Sequence, residues 1–329
     1  MERIKAAISA VGGYVPDYIV TNEEISRRVD TSDDWITTRT GIKERRSLSD
    51  PTLGTSYLCI RAAENLLEKS GCDPTSIDGI LVCTITPDYP VANTASYVAS
   101  CIGATNAFAM DLVAACSGFV SGLYTAAGFV ESGRCKKVLV IGGDKMSTII
   151  DPDDRATCIL FGDGAAAALV EPSKNGFGIE HTYLRCDGTG RDYLKIDVGG
   201  SLNPPTEENT AAKGQFVHQD GRIVYRYAVT NMCEASKAVL DACGLKADDI
   251  DYLLPHQANL RIIESVTEHL KMDKEKVLVN IERYGNTTNG TLPLLLWDFE
   301  KKFKKGDKLM FTTFGGGFTW GSMFLTWDY

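Results

Sequence analysis

The stretch IDGILVCT, residues 77–84, has a counterpart in IDYLLPHQ, residues 250–257, and the pair indicates that one structural unit occurs twice in this chain. Each stretch contains a short apolar run, typical of a buried strand, and each precedes a helix-like segment and a further strand. Later in each half, FGDGAAAALV (161–170) is echoed by FGGGFTWGSMFL (314–325). The residues match weakly but the order of elements agrees, which favours an internal duplication.

Strand-like apolar runs alternate with helix-like segments through the first half. The strand-like runs are GILVCTIT (79–86), AFAMDLVAA (107–115), KKVLVIGGD (136–144) and GAAAALVE (164–171). The helix-like segments are TASYVASCIG (94–103) and SGFVSGLYTAAGFVESG (117–133), and each ends at a glycine. This alternation predicts βαβ units in a layered α/β fold, with an N-terminal half at 1–172 and a C-terminal half at 173–329.

The composition indicates a folded chain with a sizeable core, since 44% of its 329 residues are hydrophobic and 23% are charged. The formal net charge of −9 disfavours non-specific binding to nucleic acid or anionic membranes, so we expect neither as a partner. No apolar run approaches the roughly 18 residues that span a bilayer. The stretch 1–20 has a basic start, but Gly12, Gly13 and Pro16 interrupt its apolar part, which indicates a strand and turn rather than a signal peptide.

The ten cysteines form no C-x-x-C pair, and no histidine lies at zinc-ligand spacing from a cysteine pair. We therefore expect no metal site. Without an export signal, reduced thiols in a cytoplasmic protein are the simplest interpretation, and most should be small buried hydrophobic residues.

The region 186–221 is rich in Gly, Asn, Pro and Thr, and it is predicted to be a long functional or mobile loop, with a short strand as a further possibility.

Three candidate catalytic residues, Cys116, His256 and Asn286, fall at predicted strand ends in the two halves. Active sites in open α/β sheets gather at the carboxyl ends of strands, so a duplication about a pseudo-dyad brings these residues together. Cys116 lies where DLVAACSGF (111–119) passes from an apolar run into a helix, and a helix N-terminus favours the thiolate, so we expect a lowered pKa. A cysteine with a distant His and Asn is typical of a nucleophile set.

Each of these residues has a simpler interpretation when taken alone. Cys116 has the pattern of a core cysteine, and His256 in LLPHQAN has that of a structural histidine at a strand-to-helix turn. Asn286 in YGNTTNG has the pattern of a turn residue. The duplication favours the catalytic interpretation because it accounts for all three positions together.

Six motifs taken in order resemble the β-ketoacyl-[acyl-carrier-protein] synthase III family, whose fold is the thiolase fold. They are TSDDWITTRTGIKERR (31–46), DLVAACSGF (111–119), DRATCILFGDGAAAALV (154–170), PHQANLRII (255–263), YGNTTNGT (284–291) and FGGGFTWGS (314–322). The match runs over essentially the whole chain. The resemblance implies two duplicated βαβαβαββ halves that form a five-layered αβαβα sandwich.

The resemblance implies a decarboxylative condensation that starts fatty acid synthesis. An acyl group, acetyl or short and branched, moves from acyl-CoA to Cys116, and malonyl-acyl carrier protein then loses carbon dioxide and attacks the acyl thioester. His256 and Asn286 would donate hydrogen bonds to the enolate, while the N–H groups of Cys116 and Gly316 would form the oxyanion hole for the thioester. Coenzyme A enters as part of the substrate, so no cofactor is expected.

The resemblance also implies binding residues. The positions that match coenzyme A contacts are Trp35, Arg39, Arg155 and Asn259, and those that match carrier-protein docking are Arg261 and Arg226. Without the resemblance, Trp35 would be a core residue in a capped helix and the arginines would belong to a solvated face. Phe314 either packs beneath the thiol, in the acyl pocket, or is simply core.

Two departures from the family's pattern concern the acyl site. The segment TPDYPVANTAS (86–96) matches one that crosses a homodimer and closes the partner's acyl pocket, and it has Val91 where many members have Phe. A smaller side chain leaves room for a longer or branched primer, so we expect a primer range broader than acetyl. After GNT, this chain has TNGT (288–291) in place of small residues, which predicts an altered loop.

Other functions compete with this interpretation. A related condensing enzyme of specialised lipid or polyketide synthesis would use the same residues. A 3-hydroxy-3-methylglutaryl-CoA synthase would need a general-acid Glu near the cysteine, and none matches. A non-catalytic partner subunit would have no reason to keep Cys116, His256 and Asn286, and a coenzyme A-binding module would need only Trp35 and Arg155.

Overall fold

The structure is a computed structural model that describes residues 4–329; the basic start of the N-terminal stretch, at residues 1–3, lies outside the described residues. Its strands are β1 (Ala6–Tyr14), β2 (Ile19–Thr21), β3 (Glu44–Arg46), β4 (Gly79–Cys83), β5 (Phe108–Leu112), β6 (Val138–Asp144), β7 (Gly164–Pro172), β8 (Gly178–Cys186), β9 (Leu194–Ile196), β10 (Val217–Gln219), β11 (Tyr252–Pro255), β12 (Lys308–Gly315) and β13 (Thr319–Thr326). Its α-helices are α1 (Asn22–Ser26), α2 (Asp33–Thr40), α3 (Thr55–Ser70), α4 (Thr94–Ile102), α5 (Gly118–Glu131), α6 (Glu207–Ala211), α7 (Gly221–Cys243), α8 (Leu260–Leu270), α9 (Ile281–Tyr284) and α10 (Thr291–Phe299).

Two mixed sheets carry the same strand pattern. The first has the order β1-β7-β6-β4-β5, and the second has the order β8-β13-β12-β11. In each, the first two neighbouring pairs are antiparallel and the next is parallel. The counterpart of β5 is reduced to one parallel bridge between Leu253 and Val277. This correspondence confirms the duplication predicted from residues 77–84 and 250–257.

Helices cover the sheets in three layers. Helices α3 and α4 pack on the outer face of the first sheet, α5 and α10 lie between the sheets, and α7 and α8 cover the second sheet. One cluster of buried apolar side chains fills the space around α5 and α10 on both sides, and a separate cluster lies beneath each outer helix layer. The result is the five-layered αβαβα sandwich expected above. The division of the chain at residue 172 stays a prediction; it falls between β7 and β8.

The first strand continues through the two glycines that were expected to interrupt it. Strand β1 runs to Tyr14, and a Cβ on Gly12 would lie 2.4 Å from the backbone nitrogen of Leu66 in α3. A Cβ on Gly13 would lie 2.4 Å from the ring of Trp297 in α10. These glycines therefore let helices approach the strand closely on both faces, and they do not end it.

The region 186–221 is more ordered than the long loop predicted for it. It contains the antiparallel pair β9 and β10 and the short helix α6, whose cap Thr206 accepts a hydrogen bond from the Asn209 N–H.

Among the described helices, none combines the length and the apolar composition that a bilayer crossing requires. All ten cysteines lie in the described part of the chain, and all are free thiols.

Candidate active site

Cys116 sits in a single 3-10 turn, Ala115–Ser117, which joins β5 to α5. Ala115 before it has a φ of 44°, in the left-handed region that a non-glycine residue rarely adopts, so the backbone is strained directly before Cys116. The second half of the chain holds this turn in place. Thr313 Oγ1 donates to the Cys116 carbonyl at 2.9 Å, and Ser117 Oγ donates to the Thr319 carbonyl at 3.1 Å.

A cavity of about 380 Å³ opens beside this turn. Cys116, His256 and Asn286 all line it, and so the structure brings the three candidates from the two halves together. The other predicted site residues on its wall are Phe314, Gly316 and Asn259. The remaining wall is mostly apolar, which suits an acyl chain.

The Cys116 thiol is neutral in the unliganded cavity. Burial, assisted by the Asp144 carboxylate, raises its pKa to about 12. The lowered pKa expected from the helix N-terminus is therefore wrong for the empty site, because desolvation of the thiolate and the nearby negative charge outweigh the partial charge of the helix end. The thiol must lose its proton when substrate is present.

His256 follows the last residue of β11, and its backbone N–H donates to the Thr312 carbonyl at 2.8 Å. Its ring is buried, and burial lowers its pKa to about 3, so the imidazole is neutral. Nδ1 lies 2.7 Å from Thr291 Oγ1, whereas Nε2 makes no hydrogen bond within residues 4–329. The free ring nitrogen is thus available to the cavity.

The orientation of Asn286 is set by its neighbours. Its Oδ1 accepts a hydrogen bond from the Thr288 N–H at 2.9 Å, which leaves its amide Nδ2 without a partner among the described groups. Because only the NH₂ group is free, Asn286 presents a hydrogen-bond donor to the cavity. That is the polarity an enolate oxygen requires.

Two backbone N–H groups complete the site. Neither the Cys116 N–H nor the Gly316 N–H donates to another described backbone group. A Cβ on Gly315 would lie 2.5 Å from the Cys116 nitrogen, so β12 approaches the nucleophile turn as closely as a glycine allows. Both N–H groups are free of backbone partners, and both belong to residues that line the cavity.

The Asp144 side chain forms hydrogen bonds with two loops of the candidate site. Sequence analysis did not identify this residue. This fully buried carboxylate accepts hydrogen bonds from Thr84 Oγ1 at 2.8 Å, the Ile85 N–H at 2.7 Å and Asn289 Nδ2 at 2.9 Å, as well as from Thr288 Oγ1. It ties the loop after β4 to the turn that carries Asn286. Its position at the end of the apolar strand VLVIGGD was the only signal in the sequence.

Comparison with known proteins decides the family. Residues 110–188 match the model of 3-oxoacyl-[acyl-carrier-protein] synthase III, and residues 240–327 match the model of its C-terminal region. The β-ketoacyl-[acyl-carrier-protein] synthase III of Phocaeicola vulgatus is 51% identical over 100% of this chain and 98% of the relative.

The chain belongs to the 3-oxoacyl-[acyl-carrier-protein] synthase III family. It is a condensing acyltransferase of fatty acid synthesis with the thiolase fold. The solved synthase III of Aquifex aeolicus is 38% identical, with a TM-score of 0.91 over 98% of this chain and all of that one. The priming β-ketosynthase of the R1128 polyketide pathway is 33% identical, with a TM-score of 0.92 over 99% of this chain and 97% of that one.

Of the residues predicted to contact coenzyme A in this synthase III fold, three form one cluster at the surface. The Arg39 and Arg155 guanidinium carbons lie 4.5 Å and 5.0 Å from the centre of the Trp35 ring, so each packs on the indole. Arg155 Nη1 also donates to the Asp30 carbonyl at 3.1 Å. Asn259 is apart from them: it caps α8 by accepting from the Arg261 N–H at 2.9 Å, and it lines the cavity.

Val91 does not line the cavity of its own chain. It is 85% exposed. Arg261 and Arg226 are exposed on α8 and α7, which meet each other. In the TNGT turn, the Asn289 Oδ1 lies against Gly118, where an added Cβ would be 2.1 Å away, so a glycine is required at the start of α5. That this turn differs from the family's loop stays a prediction.

Sequence analysis also missed wall residues from the region 186–221. Leu194, Lys195, Val217 and Gln219, on β9 and β10, line the cavity. The strands β9 and β10 have three residues each and are recognisable only from their pairing with each other. The sequence therefore indicated a region of distinct composition, but not which of its side chains line the cavity.

Proposed function

We propose that Cys116 takes an acyl group from acyl-CoA and that the acyl-enzyme then condenses with malonyl-acyl carrier protein. The observation that carries this proposal is one cavity that holds the thiol, an unpaired ring nitrogen of His256, the unpaired amide group of Asn286 and two backbone N–H groups without backbone partners. On attack, the Cys116 proton passes to His256, since both groups are neutral at rest. The N–H groups of Cys116 and Gly316 stabilise the tetrahedral oxyanion.

In the second half-reaction, the enolate formed by loss of carbon dioxide accepts hydrogen bonds from Asn286 Nδ2 and His256. Both residues are uncharged, which suits an anionic intermediate because a carboxylate in either place would repel it. The enolate carbon attacks the acyl carbonyl, the bond from that carbon to the Cys116 sulfur breaks, and the departing thiolate takes a proton from water to become the thiol that starts the next cycle.

The experiment measures acyl transfer by intact mass. The protein is incubated separately with acetyl-, butyryl- and isobutyryl-CoA, and malonyl-acyl carrier protein is then added. We expect an acyl adduct that Cys116→Ala abolishes and that disappears with formation of a β-ketoacyl carrier protein. Cys101→Ala, which removes an exposed thiol, is the matched control and should load normally. No adduct from any acyl-CoA would overturn the proposal.

The same experiment tests the primer range. The exposed Val91 in the segment that would close the partner's pocket supports a primer range broader than acetyl. We expect butyryl- and isobutyryl-CoA to load faster than acetyl-CoA, and Val91→Phe to reverse that order. Equal or slower loading of the larger groups would contradict this part of the proposal.

The surfaces suggest two protein partners. Arg261 and Arg226 lie on the face of α7 and α8, where positive charge suits an acidic carrier protein. Arg261→Glu should raise the KM for malonyl-acyl carrier protein about tenfold without changing acyl loading from acyl-CoA. Equal effects on both steps would show that Arg261 is not a docking residue.

We also propose a homodimer in the cytoplasm. The edge strand β5 pairs only with β4 in this chain, and large apolar side chains are exposed around it, at Tyr89, Val91, Tyr97, Phe108, Met110, Val113 and Tyr124. A second copy of β5 would cover this edge. Ten free thiols suit a reducing compartment.

A further inference from the structure

Thr291, at the first position of α10, contacts the catalytic histidine on the side away from the cavity. Its Oγ1 lies 2.7 Å from His256 Nδ1 and 2.9 Å from the Thr288 carbonyl oxygen. The three residues are buried, at 2% exposure each. Bulk water therefore does not compete for these hydrogen bonds.

The number of hydrogens available decides how the ring is protonated. A threonine hydroxyl has one hydrogen, and a carbonyl oxygen can only accept. The Thr291 hydroxyl donates to the Thr288 carbonyl, so the hydrogen between Thr291 and His256 must come from Nδ1. In this arrangement Nδ1 carries the proton, and Nε2 is a bare acceptor on the cavity side.

We propose that Thr291 sets the tautomer of His256 and thereby makes Nε2 the base for Cys116 in the acylation half-reaction. This rests on the proposed acyl transfer. The Cys116 S–H bond breaks as its sulfur bonds to the acyl carbon, and the proton moves to Nε2. The bond from the acyl carbon to the coenzyme A sulfur then breaks, and that sulfur takes the proton from Nε2. The ring returns to its starting tautomer.

The condensation half-reaction needs the opposite tautomer, because a bare Nε2 cannot donate to an enolate oxygen. Thr291 accommodates that tautomer as well. Its hydroxyl turns to donate to Nδ1, and the Thr288 carbonyl keeps the backbone N–H of Thr291 as a partner. The exchange takes one proton from Nδ1 and delivers one from water to Nε2, so the ring stays neutral; because Nδ1 is buried, water accepts its proton only during a transient opening of this packing. The resting tautomer has one hydrogen bond more and is the populated one.

The test compares Thr291→Val, which keeps the shape and removes the hydroxyl, with Thr291→Ser, which keeps the hydroxyl. Thr287→Val is the matched control, because Thr287 Oγ1 is buried in the same turn with no hydrogen-bond partner among the described residues. The first readout is the ¹⁵N spectrum of the four histidines in the substrate-free protein. The second is the rate of acyl loading against the rate of malonyl-carrier decarboxylation.

In the wild-type protein and in Thr291→Ser, we expect His256 to be protonated at Nδ1. In Thr291→Val, Nδ1 has no partner while Nε2 still faces the cavity, so the proton should move to Nε2. Acyl loading should then slow by about tenfold or more, with decarboxylation changed by less than about threefold. The Thr287→Val control should match the wild type in both readouts.

Protonation of Nε2 in the resting wild-type protein would overturn the proposal, as would equal slowing of both half-reactions in Thr291→Val or no recovery in Thr291→Ser. The ¹⁵N readout needs no substrate and no variant. A protein that loads no acyl group from any acyl-CoA would therefore refute the proposed function, and its histidine spectrum would still decide which ring nitrogen Thr291 selects.

Discussion

At the scale of single residues, the site is built from neutral groups. Burial raises the pKa of Cys116 to about 12 and lowers that of His256 to about 3, so an ion pair between them is disfavoured at rest. Because the thiolate is the nucleophilic form, a thiol whose pKa is raised in this way reacts slowly with electrophiles near neutral pH.

The first prediction concerns the reactivity of Cys116 without substrate. Because its pKa is raised, alkylation of this thiol by iodoacetamide should speed up about tenfold per pH unit from pH 7 to pH 9 without a plateau. Peptide mapping after alkylation gives the rate at Cys116 separately from the other thiols. A plateau near neutral pH would mean that the thiol is already ionised, which would contradict the neutral resting pair.

The second prediction concerns acid stability. The folded protein holds His256 with a pKa of about 3, whereas the unfolded chain binds a proton below about pH 6.5. Stability should therefore fall as the pH drops through this window, by about 2 kcal/mol between pH 7 and pH 5. Urea unfolding of the wild type and of His256→Asn at both pH values gives the difference, since the other three histidines are common to both. Identical pH dependence in the two proteins would refute the assignment.

The residues that sequence analysis found and missed differ in kind. Cys116, His256 and Asn286 were recognisable because strand ends and an internal repeat placed them at one edge. Thr291 and Asp144 were not, because their roles depend on contacts across the fold: Thr291 meets a residue 35 positions away, and Asp144 meets one 145 positions away. The spacing of residues within one short stretch of sequence does not indicate which distant residues will form hydrogen bonds.

At the scale of elements, α5 shows how glycines in one helix serve different purposes. A Cβ on Gly122 would lie 2.6 Å from Cys83 Sγ and 2.8 Å from Val140 Cγ1, so this glycine lets the helix approach the first sheet. A Cβ on Gly128 would have no heavy atom within 4 Å. The two sites allow a comparison within a single helix.

The third prediction uses this matched pair. Gly122→Ala should destabilise the protein by about 1–3 kcal/mol, because the added methyl group overpacks the interface between α5 and the sheet. Gly128→Ala should stabilise it by about 0.5–1 kcal/mol, because alanine is the better helix former and meets nothing. Thermal unfolding of both variants checks the signs. Two shifts of the same sign would show that α5 packs differently from the structure described here.

Element boundaries were predicted well where the chain carries its own stop signals. Helix α4 ends at Gly103, whose φ of 78° is the left-handed cap that its glycine indicated, and Gly133 after α5 has a φ of 73°. The extension of β1 through Gly12 was not predictable, since a glycine that admits a helix and one that ends a strand look alike in sequence. The small strands β9 and β10 were missed for the same lack of a local signal.

At the scale of the whole molecule, the cavity that holds the three candidate catalytic residues lies between two halves that share a strand order. Cys116 comes from the first half, whereas His256 and Asn286 come from the second. The same arrangement leaves β5 as an open edge with an apolar surface around it. The order of elements could be predicted from the repeat, but the partner of this edge could not.

The fourth prediction tests the proposed homodimer. Met110→Glu with Val113→Glu places two charges on the exposed β5 surface, and sedimentation should then show a monomer with at least about tenfold lower activity, because Val91 no longer reaches a partner's pocket. Leu202→Glu is the control, since Leu202 is 84% exposed on the region 186–221 away from β5. A charged double variant that remains dimeric would place the interface elsewhere.

Residues of the second half of the chain form hydrogen bonds with the turn that carries Cys116. The turn can therefore reach this geometry only after the second half has been synthesised. Ser117 donates to a carbonyl that lies 202 positions later in the chain. At ribosomal speeds of about 5–20 residues per second, Cys116 waits roughly 10–40 s for the strands that position it. A nascent chain therefore carries the thiol before it contains His256, Asn286 or the strand β12 that packs against the thiol's turn.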